Sequence, residues 1–271
     1  MIKNKTKKYS PIYLLHYFKL TWRSVLFISA LVMYIHARIN KVVFNFDTIE
    51  EKPLLLSVIW LIFTVEMALR FFPSKYESMG CQKQFKRNYI STNKNSPPLR
   101  QPTRVTLFVA FIWLALNACI GAVYFLGWID QGILMLISLA FSVCDVICIL
   151  FFCPFQTWIM KNKCCTSCRI YNWDFAMMFT PLLFIPSVYT YSLVALSLAL
   201  LVKWEINVHR KPEYFSEHTN ACLSCALCNE KLCHHKKQLQ SFLISNKDRL
   251  ILRGNALFHN DKYGFLHKNE K

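Results

Sequence analysis

The stretch Ala221–His235, ACLSCALCNEKLCHH, places four thiols within twelve residues: Cys222, Cys225, Cys228 and Cys233. Thiols this dense can ligate a metal, carry an iron–sulfur cluster or close into disulfides. The pattern C-x2-C-x2-C-x4-C lies close to the ferredoxin run C-x2-C-x2-C-x3-C-P, in which short loops let three thiolates reach the irons of one cubane. Its last gap is one residue longer and the proline is missing. Zinc asks for four N or S ligands in a tetrahedron, usually as two C-x2-C knuckles separated by a longer stretch. The tail alone has overlapping knuckles without that separation. A second group, KNKCCTSCRIYNWD, supplies Cys164, Cys165 and Cys168. Pairing Cys165-x2-Cys168 with one C-x2-C of the tail would give a well-formed four-thiolate site tying tail to loop, with His234 and His235 as further nitrogen donors. The expected metal ligands are therefore Cys222, Cys225, Cys228 and Cys233, with Cys164, Cys165 and Cys168 as a second set. The expected cofactor is an iron–sulfur cluster, with zinc as the alternative. Juxtamembrane lipidation is a third fate for the loop thiols.

Cys168 precedes a helix expected to start near Trp173, with Asn172 and Asp174 as N-cap and first-turn residues. The positive helix end, with Arg169 and Lys163 nearby, would favour a reactive thiolate; the plainer reading is an exposed loop thiol. Cys119, Cys144 and Cys148 fall inside apolar runs, where cysteine acts as a small buried hydrophobe, so packing is expected. Three charges also fall inside such runs: Glu66 and Arg70 at i,i+4, and Asp145 beside Cys144. Charges at membrane depth are costly and normally face protein or water. A structural pair is expected, either Glu66–Arg70 or Arg70–Asp145 across helices. Two carboxylates against one arginine leave one acid over, which keeps a proton or ion path as a second reading. No histidine is expected at mid-span, which argues against a bis-histidine intramembrane haem. P-loop, G-x-S-x-G and H-E-x-x-H motifs are absent from the sequence.

Cys153-Pro154, in FFCPFQ at the end of an apolar run, precedes the clustered loop cysteines. In this the chain resembles the membrane-bound polyferredoxin-type iron–sulfur proteins of respiratory chains, with Cys222, Cys225, Cys228 and Cys233 as the looser part of the match. The resemblance implies cubane clusters in cytoplasmic segments and electron transfer at the membrane.

Long apolar elements must position these groups. Hydrophobic residues make up 54% of the 271 and charged residues 17%, against about 45–50% and 25% in soluble domains. A bilayer core about 30 Å thick takes roughly 20 apolar residues as a helix. Ser24–Ile39, Leu54–Phe72, Val105–Trp128 and Gly132–Cys153 are the expected spans, the first read as an uncleaved signal anchor that could extend back to Tyr13. Phe175–Val202, interrupted by Pro181 and Pro186, would run about 42 Å as one helix, too long for one crossing and too short for two. It is expected either as one kinked helix or as a half-helix hairpin returning to the same side. Sixteen Lys/Arg fall in 1–23, 73–104 and 154–174, against three in the opposite loops. That asymmetry places the N-terminus and both larger loops in the cytoplasm. The tail is too long for the charge rule to place. It carries helical spacing at Leu239, Phe242 and Leu243 and strand-like character in DRLILRGNALFHND.

The expected fold is all-α: a polytopic transmembrane helical bundle with four spans, a proline-interrupted fifth segment and a small Cys-rich C-terminal tail. Its parts are a basic N-terminal segment (1–23), a first helical pair (24–72), a basic loop (73–104), a second helical pair (105–153), a Cys-rich loop (154–174), the fifth segment (175–202) and the Cys-rich tail (203–271). The net charge of +17 fits lysine and arginine retained on the cytoplasmic side. Without a basic helix or aromatic platform beside it, nucleic acid is not an expected partner. Heavy use of Lys, Asn and Ile fits an AT-rich bacterial genome and hence a bacterial inner membrane.

Three functions are expected in order: electron transfer through a Cys-ligated iron–sulfur centre to a redox partner protein or membrane subunit; a non-catalytic scaffold or transporter component with structural zinc; and a thiol–disulfide protein with an exported tail. Whether the chain is an enzyme stays open at this point.

Overall fold

In an apolar run every backbone amide needs a partner, and a helix supplies it within the segment. The computed structural model follows that rule. It describes residues 11–40, 53–92, 97–98, 103–162 and 168–224, all within the first of two units, which ends at Lys231. The described residues are helical and contain no named strand. Four helices are long and apolar enough to cross a membrane: α1 (Pro11–Ile39), α4 (Thr103–Phe125), α5 (Gln131–Leu150) and α7 (Val188–Arg210). The shorter α2 (Pro53–Leu69) is equally apolar; α3 (Met79–Gln82) and α6 (Asp174–Phe179) are short. Proline opens both α1 and α2, where its missing N–H costs nothing. Asp130 caps α5 by accepting from the Ile133 N–H at 2.9 Å, and Ser187 caps α7 by accepting from Tyr189 N–H at 3.3 Å.

Side-chain contacts fix the register. Along α1 and α5, Tyr17 meets Phe151, Arg23 meets Asp145 and Tyr34 meets Asp130, so the two run antiparallel. Along α2 and α7, Ser57 meets Tyr189, Trp60 meets Ser192 and the Phe71 carbonyl meets Lys203, so these run parallel. The bundle thus has a far end, holding the α4–α5 turn and the start of α7, and a cysteine end, holding residues 73–92, 151–162, 168–173 and 211–224. The outward faces are apolar: Phe111, Leu114 and Val32 are more than half exposed. The interior carries Leu134, Met67, Phe175, Phe179 and Leu200, all nearly sealed.

Three expectations bear on this fold. First, the helix expected at Ser24–Ile39, with an extension back to Tyr13, begins at Pro11, because His16, Lys19 and Arg23 turn one face of the helix inward and are buried. Polar residues did not end the helix, since the bundle gives them a place. Second, of the two paths expected for Phe175–Val202 the chain takes the hairpin, with limbs of unequal length. The limb of α6 and the 3-10 turn Thr180–Phe184 descends beside α4, with Trp113 Nε1 donating to Thr180 at 3.4 Å and Phe184 packed over Gly121. Residues 185–187 turn at the far end, and α7 climbs back. Pro181 sits in the first turn of the 3-10 segment, where it costs no hydrogen bond. Third, Cys119 and Cys144 are exposed on the outward face and Cys148 is half-buried. In a surface made of hydrocarbon, a small apolar side chain needs no burial inside the protein.

Candidate functional site

At the cysteine end the two limbs of the hairpin are clasped. Arg169 pairs with Glu205 at 2.7 Å, Trp173 Nε1 donates to Glu205 at 2.9 Å, and Trp204 Nε1 donates to the Arg169 carbonyl at 2.6 Å. Trp204 is fully buried. The clasp therefore returns the chain at residue 205 to the level it left at residue 169. Just beyond it the tail is knitted to the 73–92 loop. Ser91 and Asn220 form an antiparallel bridge, Ala221 N–H donates to the Ile90 carbonyl at 2.8 Å, and Thr92 N–H donates to the Thr219 carbonyl at 3.2 Å. Tyr89 and Tyr214 pack at 5.0 Å between ring centres.

Two of the expected metal ligands are described, and both lie at this end. Cys168 is 3% exposed beneath Lys83, whose ammonium donates to the Cys168 carbonyl at 3.2 Å and sits over the Trp204 and Phe215 rings. Burial pushes its thiol up, while a hydrogen bond from the Ile170 backbone and the Lys83 charge pull the other way. Neither the reactive thiolate nor the exposed loop thiol describes this side chain. Asn172 does not cap the following helix, whereas Asp174 stands in the first turn of α6 as expected and turns to Arg70. Cys222 is partly buried at the start of the tail, its N–H held by Asn220 at 3.2 Å and its thiol pushed up by burial. Cys164, Cys165, Cys225, Cys228 and Cys233 lie outside the described residues, as do His234, His235 and the helical and strand-like stretches of the tail. Among the described residues no group of three or more His, Cys, Asp or Glu is placed to hold a metal. What the geometry supplies is two sulfur donors at one end of the bundle, a donor type that suits both iron–sulfur and zinc. Cys81, in the 73–92 loop at the same end, is fully buried. It accepts from Asn172 at 3.6 Å, and burial pushes it up to about 11.

Deeper in the bundle lies a layer of charge. Arg23 donates to Glu66 at 2.7 Å, to Asp145 at 3.3 Å and to the Ser142 carbonyl at 3.0 Å; Lys19 adds a second contact to Glu66 at 3.7 Å. The expected Glu66–Arg70 pair does not form, nor does Arg70–Asp145. Arg70 lies just past the end of α2, where it pairs with Asp174 at 2.7 Å, donates to Asn172 Oδ1 at 3.3 Å and approaches Glu77 at 3.9 Å. The Phe175 ring lies between the two guanidinium groups, 5.9 Å from Arg23 and 4.4 Å from Arg70. The acid left over in the sequence count thus has its cation: Glu66 and Asp145 share Arg23. His16 completes the inward face of α1. It is 5% exposed, and neither ring nitrogen has a hydrogen-bond partner. The signal that could have found this face was the 16, 19, 23 spacing, one helical stripe. It was hidden because lysine-rich starts read as loop.

No protein-family model, curated protein or solved structure matches this chain.

Proposed function

We propose that the protein is a multi-pass protein of a bacterial inner membrane that holds a thiolate-ligated iron–sulfur centre at its cysteine end and passes electrons between a soluble donor and a membrane acceptor or partner subunit. One observation carries this reading: the hairpin closed by Arg169, Glu205 and Trp204 brings the start of the tail, with Cys222, to the end that holds Cys168. Cys164 and Cys165, which precede Cys168 in sequence, and Cys225 and Cys228, which follow Cys222, can then contribute to one centre. The abundance of Lys and Arg in the loops of that end supports a cytoplasmic placement, where thiols stay reduced and available to metal. The same return of the tail speaks against an exported, disulfide-bonded tail.

A second reading is structural zinc, with Cys165-x2-Cys168 and a tail knuckle as ligands. It is favoured by the burial of Cys168 and by the knitting of Ile90–Thr92 to Thr219–Ala221, which already hold the tail as a pinned element.

Purification without oxygen separates the two. The electron-transfer reading expects a coloured protein whose visible absorption bleaches on reduction, with iron and acid-labile sulfide in stoichiometric amounts. Both should be lost in Cys222→Ser and Cys225→Ser, and retained in Cys81→Ala. A colourless protein with stoichiometric zinc would establish the structural reading instead, and a metal-free protein would end both.

A further inference from the structure

The far half of the bundle encloses a cavity of about 670 Å³. It lies between α1, α2, α5, the descending limb of the hairpin and the first turn of α7. Trp22, Leu56, Trp60, Met135, Phe179 and Leu193 are among the side chains that form its wall. Most of the polar groups on that wall are engaged within the protein. Ser138 donates to the Met178 carbonyl at 2.8 Å, Ser142 to the Leu139 carbonyl at 2.7 Å, Thr190 to the Ile185 carbonyl at 2.7 Å, and Trp60 Nε1 to Ser192 at 2.8 Å. A buried water needs two to four polar partners, which such a wall does not offer. An empty space of this size would forfeit the dispersion contacts that make interiors close-packed. Hydrocarbon is the filling that suits it.

The cavity also has a mouth. α1 rests on α5 and α2 rests on α7, and the described contacts joining α1 to α2 all sit at the inner end: Trp22 with Phe63, and Lys19 and Arg23 with Glu66. Beyond that level the wall residues Val25 and Met33 are 58% and 41% exposed, although both line the cavity. The opening therefore faces sideways, flanked by the outward apolar faces of α1 and α2.

We propose that this cavity is a binding site for the hydrocarbon chain of a membrane lipid, which enters sideways from the bilayer between α1 and α2 and ends against the Trp22–Phe63 contact. The charge layer behind that contact, with Arg23 paired to two carboxylates, closes the inner end to the chain. The site is independent of the metal centre, and either proposal stands if the other falls.

The test uses protein extracted directly into polymer-bounded lipid discs and released for native mass spectrometry. Wild type is expected to retain one lipid molecule. Ile28→Trp, on the outward face of α1, should retain it, whereas Ala30→Trp and Leu139→Trp, which fill the cavity from opposite walls, should lose it. Exhaustive delipidation should lower the melting temperature of wild type but not of the filled variants. The retained mass distinguishes an acyl lipid from an isoprenoid, either of which supports the site. Equal retention by wild type and both filled variants, or a lipid-free wild type whose melting temperature does not respond to delipidation, overturns the proposal. A dimer without lipid would give the cavity to a second copy and overturn it as well.

Discussion

Arg23 is the residue on which most of the buried electrostatics converge. Taking a charge out of water costs several kcal/mol, and the cost is met only by good geometry and further hydrogen bonds. Arg23 has both: two carboxylates on different helices, one backbone carbonyl and the faces of two phenylalanines. Removing it leaves Asp145 without a cation and Glu66 with Lys19 alone. Arg23→Met is therefore expected to destabilise the folded protein by roughly 3–5 kcal/mol, the range for breaking one partner of a buried pair. Adding Glu66→Gln and Asp145→Asn to Arg23→Met should recover most of that loss, because the three changes together remove the charges instead of stranding them. Thermal unfolding in mild detergent measures both. A triple variant no more stable than Arg23→Met would show that the layer is held by something other than this charge balance.

The hairpin from Asp174 to Arg210 is the element that gives the molecule its organisation. Its descending limb passes so close to α4 that the Phe184 ring occupies the place of a side chain on Gly121. Phe184 also packs edge-on against Phe125 at 5.7 Å, so the ring cannot simply swing away. Gly121→Val should push the limb off α4 and cost about 1–3 kcal/mol, the usual range for overpacking a well-filled site. Gly121→Val with Phe184→Ala should be more stable than Gly121→Val alone, read as melting temperature. By contrast Gly127, at φ 75° in the α4–α5 turn, has open space around it; there glycine serves the backbone conformation, not a close approach.

At the scale of the whole molecule, the return of α7 makes the passages through the bundle even in number, so the start of α1 and the first residues of the tail share one end. A topology reporter fused before Met1 and another fused after Lys271 are expected to give the same, cytoplasmic, signal. Reporters on opposite sides would mean that the Phe175–Val202 segment crosses once, and the shared cysteine centre would then be untenable. The basic loops point the same way as the hairpin, since lysine and arginine are retained on the cytoplasmic side during insertion.

Composition and periodicity were enough to read the described residues as helical with long apolar helices, and the positions of three of those helices to within a few residues, because an apolar run of about 20 residues has few other fates. The grouping of the cysteines was equally legible, as thiol spacing is a property of the chain. What the sequence could not decide was partnership. Glu66 and Arg70 are neighbours on paper, yet Glu66 bonds Arg23 from forty-three residues away and Arg70 bonds Asp174. Helix periodicity says which residues share a face but not which helix that face will meet. The path of Phe175–Val202 was open for the same reason. Its prolines allow either a kink or a turn, and only the fit of Phe184 on Gly121 and the clasp of Arg169, Glu205 and Trp204 select the turn.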